Sequence, residues 1–356
     1  YMSFSQLTGD DFVVSSDSVT AGLWRTTQIP TITTFYTSST QAAGASGNYY
    51  LNVFSTADAS GEPSPSSSLD FAVTYGNAQG SGSELYNVAV DGKSYSGTVY
   101  GQYQILTLGD ENAQFTFGGV TSSDFWAISV ERSRYKESLL PGSTTLELRN
   151  GANTVSITDN SQVVTSVVFN DAGRVFQLVS GSGGAVNTGI NSNGYTLDSG
   201  SYGWFLPDIA TYILNPRALS TTPAKGGISL AATVTTASAM STNPNPNIIY
   251  SAISSSVAGA AATTATFTAN SQETISSDYV FVRPRSSEYN YSSNPSFISG
   301  STGEVLYPLF INSPTTYITT VGLYNTTNEL LAVAKLSRPL EKDFTKESLV
   351  RVKLDF

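Results

Sequence analysis

The chain has no cysteine and no histidine. Without cysteine there are no disulfides and no thiolate metal sites, and the redox compartment cannot be read. The absence of histidine removes Ser-His-Asp and Cys-His catalysis, the usual zinc sites and the usual pH switch. Charge is scarce as well: charged residues make up 12% of the 356, about half the roughly 25% of ordinary soluble domains. The formal net charge of −10 argues against nucleic-acid binding, which needs clustered Lys and Arg to neutralise phosphates. No apolar run reaches the roughly 18 residues of a membrane-spanning helix, so no membrane partner is expected. The chain starts at Tyr1 rather than Met and no signal-peptide pattern follows, so the true start is expected upstream.

Ser, Thr, Asn and Gly supply the polarity instead, and 20 Tyr with 17 Phe supply the bulk. Short Tyr/Phe/Val runs separated by Gly, Asn and Asp turns indicate a mainly β chain. Antiparallel sheets in β-sandwich-like domains, with long loops and little helix, are expected. Candidate strands cover residues 49–54, 70–75, 86–90, 104–108, 114–117, 125–130, 144–148, 163–169, 175–179, 204–208, 210–215 and 278–283. Pro216 is read as a stop. The boundaries read as an N-terminal β domain (1–121), a central β domain (122–220), an uncharged Ala/Ser/Thr-rich insertion (221–275) and a C-terminal β-meander (276–356) that could complete the central domain.

The C-terminal forty residues carry the clearest pattern. Residues 317–324 and 329–336 flank a four-residue Asn/Thr turn, the signature of a hairpin. Val350, Val352, Leu354 and Phe356 then alternate with Arg351, Lys353 and Asp355, as a half-buried strand demands. Residues 330–334 are apolar on both faces, so this strand is expected to be covered on both sides. The terminal Phe356 is expected to dock into the fold, and the meander to be the best-packed region.

Residues 226–272 contain no charged side chain. The favoured reading is an extended insertion lying against a neighbour, protease-sensitive in the isolated chain and protected in an assembly. A short helix over 248–260 is the alternative, because Ile249, Ile253 and Val257 recur every four residues.

No motif carries chemistry, and no catalytic, cofactor-binding or metal residue is assigned. Arg132, Arg134 and Lys136 alternate beside Glu131 and Glu137. They read as a charged strand edge or, failing that, a partner-binding ridge. The glycine loops at 80–83 and 181–184 lack the Gly-Lys-Ser/Thr of a phosphate cradle and read as flexible hairpin loops. Asp10-Asp11, Asp110-Glu111 and Asp198 could serve glycoside hydrolysis, but neighbours on a strand point to opposite faces and make poor acid/base partners. A calcium site built from scattered ligands stays open. Arg283 and Arg285 beside Tyr289 and Tyr291 read as a structured loop rather than a base-stacking strip.

Several stretches occur together in order. They are Thr74-Tyr-Gly-Asn-Ala-Gln-Gly-Ser-Gly-Ser83, Gln102-Tyr-Gln-Ile-Leu-Thr-Leu108 and Glu131-Arg-Ser-Arg-Tyr-Lys-Glu-Ser-Leu-Leu-Pro-Gly142. Phe205-Leu-Pro-Asp-Ile209, Ile213-Leu-Asn-Pro216 and Glu288-Tyr-Asn-Tyr-Ser-Ser-Asn-Pro295 follow. Thr320-Val-Gly-Leu-Tyr-Asn325 and Glu329-Leu-Leu-Ala-Val-Ala-Lys-Leu336 close the series. It resembles a family of virion structural proteins of contractile-tailed phages, especially phages of marine cyanobacteria. The resemblance is weakest across 226–272, and Asn77 stands where the family pattern has His. It implies a non-enzymatic subunit of the virion tail, baseplate or neck, assembled in the host cytoplasm. Its partners would be other virion proteins and copies of itself. Capsid decoration belongs to the same class. The alternative is a carbohydrate-binding or adhesive surface protein, such as a receptor-binding fibre component or an S-layer-like subunit, and a host-surface glycan is a partner under that reading only.

Overall fold

The structure is a computed structural model that describes residues 5–23, 36–37, 50–54, 69–82, 94–230, 245–257, 267–291 and 296–355. The strand expected at 86–90 and the side chain of Phe356 lie outside these residues. The chain is mainly β, with large antiparallel sheets and little helix, as its composition indicates. It forms two compact units, Val19–Glu273 and the pair of segments Tyr1–Ser18 and Thr274–Phe356.

Strand β1 (Phe12–Gly22) is followed by β2 (Tyr36–Thr37), β3 (Tyr50–Phe54), β4 (Leu69–Asn77) and helix α1 (Tyr95–Leu108). Next come β5 (Phe115–Phe117), β6 (Val120–Ser122), β7 (Asp124–Val130), β8 (Ser138–Leu139), β9 (Thr145–Asn150) and β10 (Asn153–Asp159). Strands β11 (Val168–Asn170), β12 (Gly173–Ser182), β13 (Ala185–Val186), β14 (Gly203–Leu206) and β15 (Thr211–Leu214) precede helices α2 (Pro216–Ser220) and α3 (Asn245–Val257). The chain closes with β16 (Phe267–Thr268), β17 (Asn270–Val282), helix α4 (Pro308–Asn312), β18 (Thr316–Tyr324), β19 (Leu330–Lys342) and β20 (Val350–Asp355).

The Val19–Glu273 unit is built on one large sheet in the order β16-β9-β10-β12-β14-β15-β7-β4-β3-β2. Its central strands β14 and β15 are buried along their whole length because both of their faces are covered. In β7, Trp126, Ile128 and Val130 point to the larger core, while Phe125 and Ala127 point to a second cluster on the other face. Phe205 and Tyr212 join the first core, and their neighbours Trp204, Leu206 and Ile213 join the second. Burying each such large side chain is worth about 1.5–3 kcal/mol. Gly203 makes the β14–β15 approach possible: at φ 138° any Cβ would lie 1.8 Å from the Ile213 carbonyl oxygen.

The sheet curls. Phe267 of β16 meets the ring of Phe71 of β4 edge-on at 5.4 Å and the ring of Tyr212 of β15 at the same distance. Helix α3 packs against β9, β4 and β3 and buries Ile248, Ile249, Ala252 and Ile253 in the larger core. Its first residue is fully enclosed: the Asn245 carbonyl accepts from Trp126 Nε1 at 2.9 Å, and Asn245 Nδ2 donates to the Gly82 carbonyl at 3.1 Å. The favoured reading of this stretch as an extended insertion is therefore corrected for residues 245–257. They form a helix in the chain's own core, with Ile249 and Ile253 on the buried face.

The strand expected at 104–108 is instead the end of α1, which covers β4 and ends at Gly109 in the left-handed conformation. Its buried residues are Ser96, Tyr100, Gln104 and Thr107, spaced as one helical face, while Ile105 and Leu106 are exposed. Polar side chains on the covered face find partners: Ser96 donates to the Ser81 carbonyl, Gln104 to that of Ala113 and Thr107 to that of Tyr103. Of the strand expected at 163–169, only Val168 and Phe169 fall in β11, and Val163 and Val164 close a turn on the Asn160 carbonyl. Pro216 stops β15 and opens α2, where its missing N–H is no loss.

In the other unit, β17 pairs with β20 from Ser277↔Asp355 to Val282↔Val350. Val280, Val321 and Val352 form its small core, with Leu7, Leu323 and Leu336 packed around them. Val350, Val352 and Leu354 share the covered face as their alternation indicates.

Candidate interaction surface

Strands β18 and β19 form a two-stranded sheet of their own. The turn between them is fixed by Asn325, whose Oδ1 accepts from the backbone amides of Thr327 at 3.0 Å and Glu329 at 2.8 Å. Asn328 takes the left-handed conformation there, φ 63°, which Asn tolerates better than most residues. The expected hairpin is thus present. Pairing runs through Val321↔Ala334, Gly322↔Val333 and Leu323↔Ala332, with irregularities between Ile318 and Thr320 and between Leu323 and Tyr324.

Alternation divides the hairpin into two faces. Val321, Leu323, Ala334 and Leu336 turn to the small core. Tyr317, Leu330, Leu331 and Val333 are 62%, 52%, 68% and 57% exposed. Two expectations are corrected here: residues 330–334 are not covered on both sides, and the C-terminal meander is not the best-packed region. A two-stranded ribbon laid on a three-valine core has one face to cover and leaves the other in solvent. Gly322 keeps that face low, since a Cβ there would lie 2.9 Å from the Tyr324 ring. Further apolar side chains are exposed nearby in sequence, including Tyr307, Leu309 (84%), Ile311 and Phe344.

The loop before α4 is anchored by an unheralded residue. Lys342 is fully buried, and its Nζ donates to the Ser286 carbonyl, Asn290 Oδ1 and the Asp343 carbonyl, each at 3.0 Å. Three neutral oxygens thus satisfy its three donors. In the loop at 283–291 Arg283 pairs with Glu347 at 2.8 Å, and Tyr291 is 74% exposed.

Several charged groups of this unit are paired at the surface. Hydrogen bonds from the Thr345 hydroxyl and amide hold the Asp343 carboxyl below its ordinary range, and Lys346 lowers it further. Hydrogen bonds to Glu341 and then Asp343 raise the Lys346 ammonium. Lys353 and Asp355, 2.8 Å apart, are shifted up and down respectively by their mutual bond. Such solvated pairs add little stability.

The remaining sequence candidates fall elsewhere and separately. Arg132, Ser133 and Arg134 form a 3-10 turn rather than a strand edge or ridge. Arg134, its side chain 7% exposed, is an interior ion pair with Asp70 at 2.5 Å, while Arg132 lies over the Tyr135 ring at 4.7 Å. The alternation of Arg132, Arg134 and Lys136 therefore does not place them on one face. The loop at 181–184 joins β12 to β13, as a hairpin loop should. Its amides are engaged internally, Gly183 with Thr145 Oγ1 and Gly184 with Thr158 Oγ1. At 80–83, Gly80 and Ser81 donate to the carbonyl and side chain of Asn77, which thus caps a turn.

Asp10 and Asp11 sit in a 3-10 turn before β1, Asp110 and Glu111 follow α1, and Asp198 lies in the turn ahead of β14. Asp11 is lowered by its bonds from the Thr8 amide and hydroxyl. Among the described residues there is no group of three or more His, Cys, Asp or Glu that could hold a metal ion. No helix among them is long and apolar enough to cross a membrane. Compared with known proteins, the chain matches no family model, and no similar curated protein or solved structure is found.

Proposed function

We propose that the chain is a non-enzymatic structural subunit of a phage virion, in the tail, baseplate or neck, working through contacts with other virion proteins and with its own copies. The observation that carries this reading is the outer face of the β18–β19 hairpin. Leu331 and Val333 on β19 and Tyr317 on β18 stand more than half exposed on this ribbon, with Leu330 exposed at its turn end, and exposed apolar side chains gathered on one element mark interaction sites. The low charge and the resemblance in the sequence support the same reading. Neither nucleic acid nor membrane is a proposed partner, and no catalytic, cofactor or metal residue is assigned.

The test is proteomic and structural. Purified particles are separated into tail and capsid fractions, the chain is quantified in each, and its position is located by cryo-microscopy. A fixed copy number in the tail fraction is expected. Absence from particles, together with a stable monomer that binds glycans on an array, would replace the reading with the adhesin.

A further inference from the structure

We infer that the outer edge of β18 is where a second copy of this chain docks, the two β18 strands pairing antiparallel about a two-fold axis. The inference deepens the assembly reading above and rests on it for the presence of a partner copy. Three observations carry it. First, among the described residues no backbone hydrogen bond from outside the hairpin reaches residues 317–323, so one side of the strand offers a row of donors and acceptors. Second, that edge lacks the usual protection. Residues 316–324 contain no charge and no proline and are rich in Thr, Tyr, Ile and Val, the composition that pairs most readily. The hairpin's other strand is protected, carrying Lys335, Arg338 and Pro339.

Third, the charge pattern selects the occupant. A two-fold axis sets every residue near it against its own copy, so a charge there would face a like charge. Within this unit β1 carries Asp17, β17 Asp278, β19 its Lys and Arg, and β20 Arg351, Lys353 and Asp355. Strand β18 alone among them meets itself without repulsion. Pairing there would also bring the exposed Tyr317 and Val333 faces of two hairpins into one continuous four-stranded ribbon.

The test exploits the absence of native cysteine. Single cysteines are placed at Tyr317, Thr319, Thr320 and Gly322 on β18 and at Lys335 and Ser337 on β19. Each full-length variant is oxidised mildly, and mass in solution is followed by light scattering. Covalent dimers are expected to peak at one β18 position and fall away on either side of it, with the β19 variants staying uncrosslinked. The double variant Thr319→Lys with Thr320→Lys should weaken the dimer by about tenfold or more. Both positions are exposed, and unchanged circular dichroism shows that the double variant folds.

A wild-type chain that stays monomeric at every concentration overturns the inference. So does an oligomer indifferent to the lysines, or cross-linking that is equal on the two strands. Loss of edge pairing with the chain still present in particles leaves the virion reading standing. A β18 dimer whose chain is absent from particles removes that reading and keeps the edge.

Discussion

Strands β7 and β18 have similar compositions and opposite fates. β7 buries Phe125, Trp126, Ala127, Ile128 and Val130, because a core lies on one side of it and the α1 layer on the other. In β18, Val321 is the hydrophobic residue counted as buried, at 9% exposure, and Tyr317 on the opposite face is 62% exposed. The difference lies in the number of layers. In the central strands of the Val19–Glu273 unit a residue finds apolar cover whichever way it points, so each alternating pair contributes twice. In the other unit one face finds cover and the other meets water. The large buried cores thus belong to one unit, while the hairpin of the other keeps an apolar face in water.

That contrast can be tested by substitutions that should move one unit and spare the other. The segments Tyr1–Ser18 and Thr274–Phe356 contain no tryptophan, while Trp126 and Trp204 are buried in the Val19–Glu273 unit, so tryptophan fluorescence reports the unfolding of that unit. The largest expected effect is Arg134→Ala, which removes the ion-pair partner of Asp70, 1% exposed, in the interior; such breaks cost about 3–5 kcal/mol. The fluorescence midpoint in urea should fall accordingly, and an unchanged midpoint would mean that Asp70 is not enclosed. Trp126→Ala should cost a similar ~3–5 kcal/mol through the cavity it leaves, and it also removes the bond to Asn245. Faster hydrogen exchange across residues 245–253 should accompany it.

Lys342→Met comes next and belongs to the other unit. It removes three hydrogen bonds and should cost about 1–3 kcal/mol there, exposing the amides of residues 286–290 to exchange while the fluorescence midpoint stays put. Alkaline titration should then separate the units again. Burial pushes the Tyr202 hydroxyl up to about 12 and that of Tyr212 further still. An unfolded tyrosine loses its proton near pH 10, so the stability these groups confer is complete below about pH 10 and declines as pH rises towards 12. At the acid end, burial alone would raise the Asp208 carboxyl, yet the bonds from Arg174 outweigh it and hold it low. Its contribution is complete above about pH 4 and lost as pH falls through the folded value. The smallest effect is Leu331→Thr on the open hairpin face, within about 0.5 kcal/mol for the isolated chain. A large loss there would mean that the face is covered after all.

Much of the β architecture was readable from sequence because sheets announce themselves through alternation and turn residues. β3, β4, β7, β9, β12, the β18–β19 hairpin and β20 lie where those signals put them. Helix α1 was not readable, for a physical reason. Its covered side mixes Ser96, Gln104 and Thr107 with Tyr100, Val99, Tyr103 and Leu108, while Ile105 and Leu106 look outwards, so the hydrophobic period that marks a helix is blurred. Arg134 misled for the opposite reason, since alternation at 132–136 implies a strand only if the backbone stays extended, and it turns instead. The candidate surface was half legible: the hairpin could be read, but its exposure could not. An apolar run gives the same signal whether its second face meets a layer of protein or solvent, and Lys342 gives no sequence signal at all. Burial is a property of what comes from elsewhere in the chain.

The lock at Asn245 has a kinetic side. Its side chain binds Gly82, 163 residues earlier, and its carbonyl binds Trp126, 119 residues earlier. The curled sheet therefore cannot be sealed during synthesis until α3 and β16 have left the ribosome. Until then the core-facing sides of β4 and β7 lack part of their cover, and chain closure over such separations makes folding slow. Helix α3 and β16 are thus the last parts that the larger unit needs, and their lack of charge suits pieces that must enter an already assembled apolar interior.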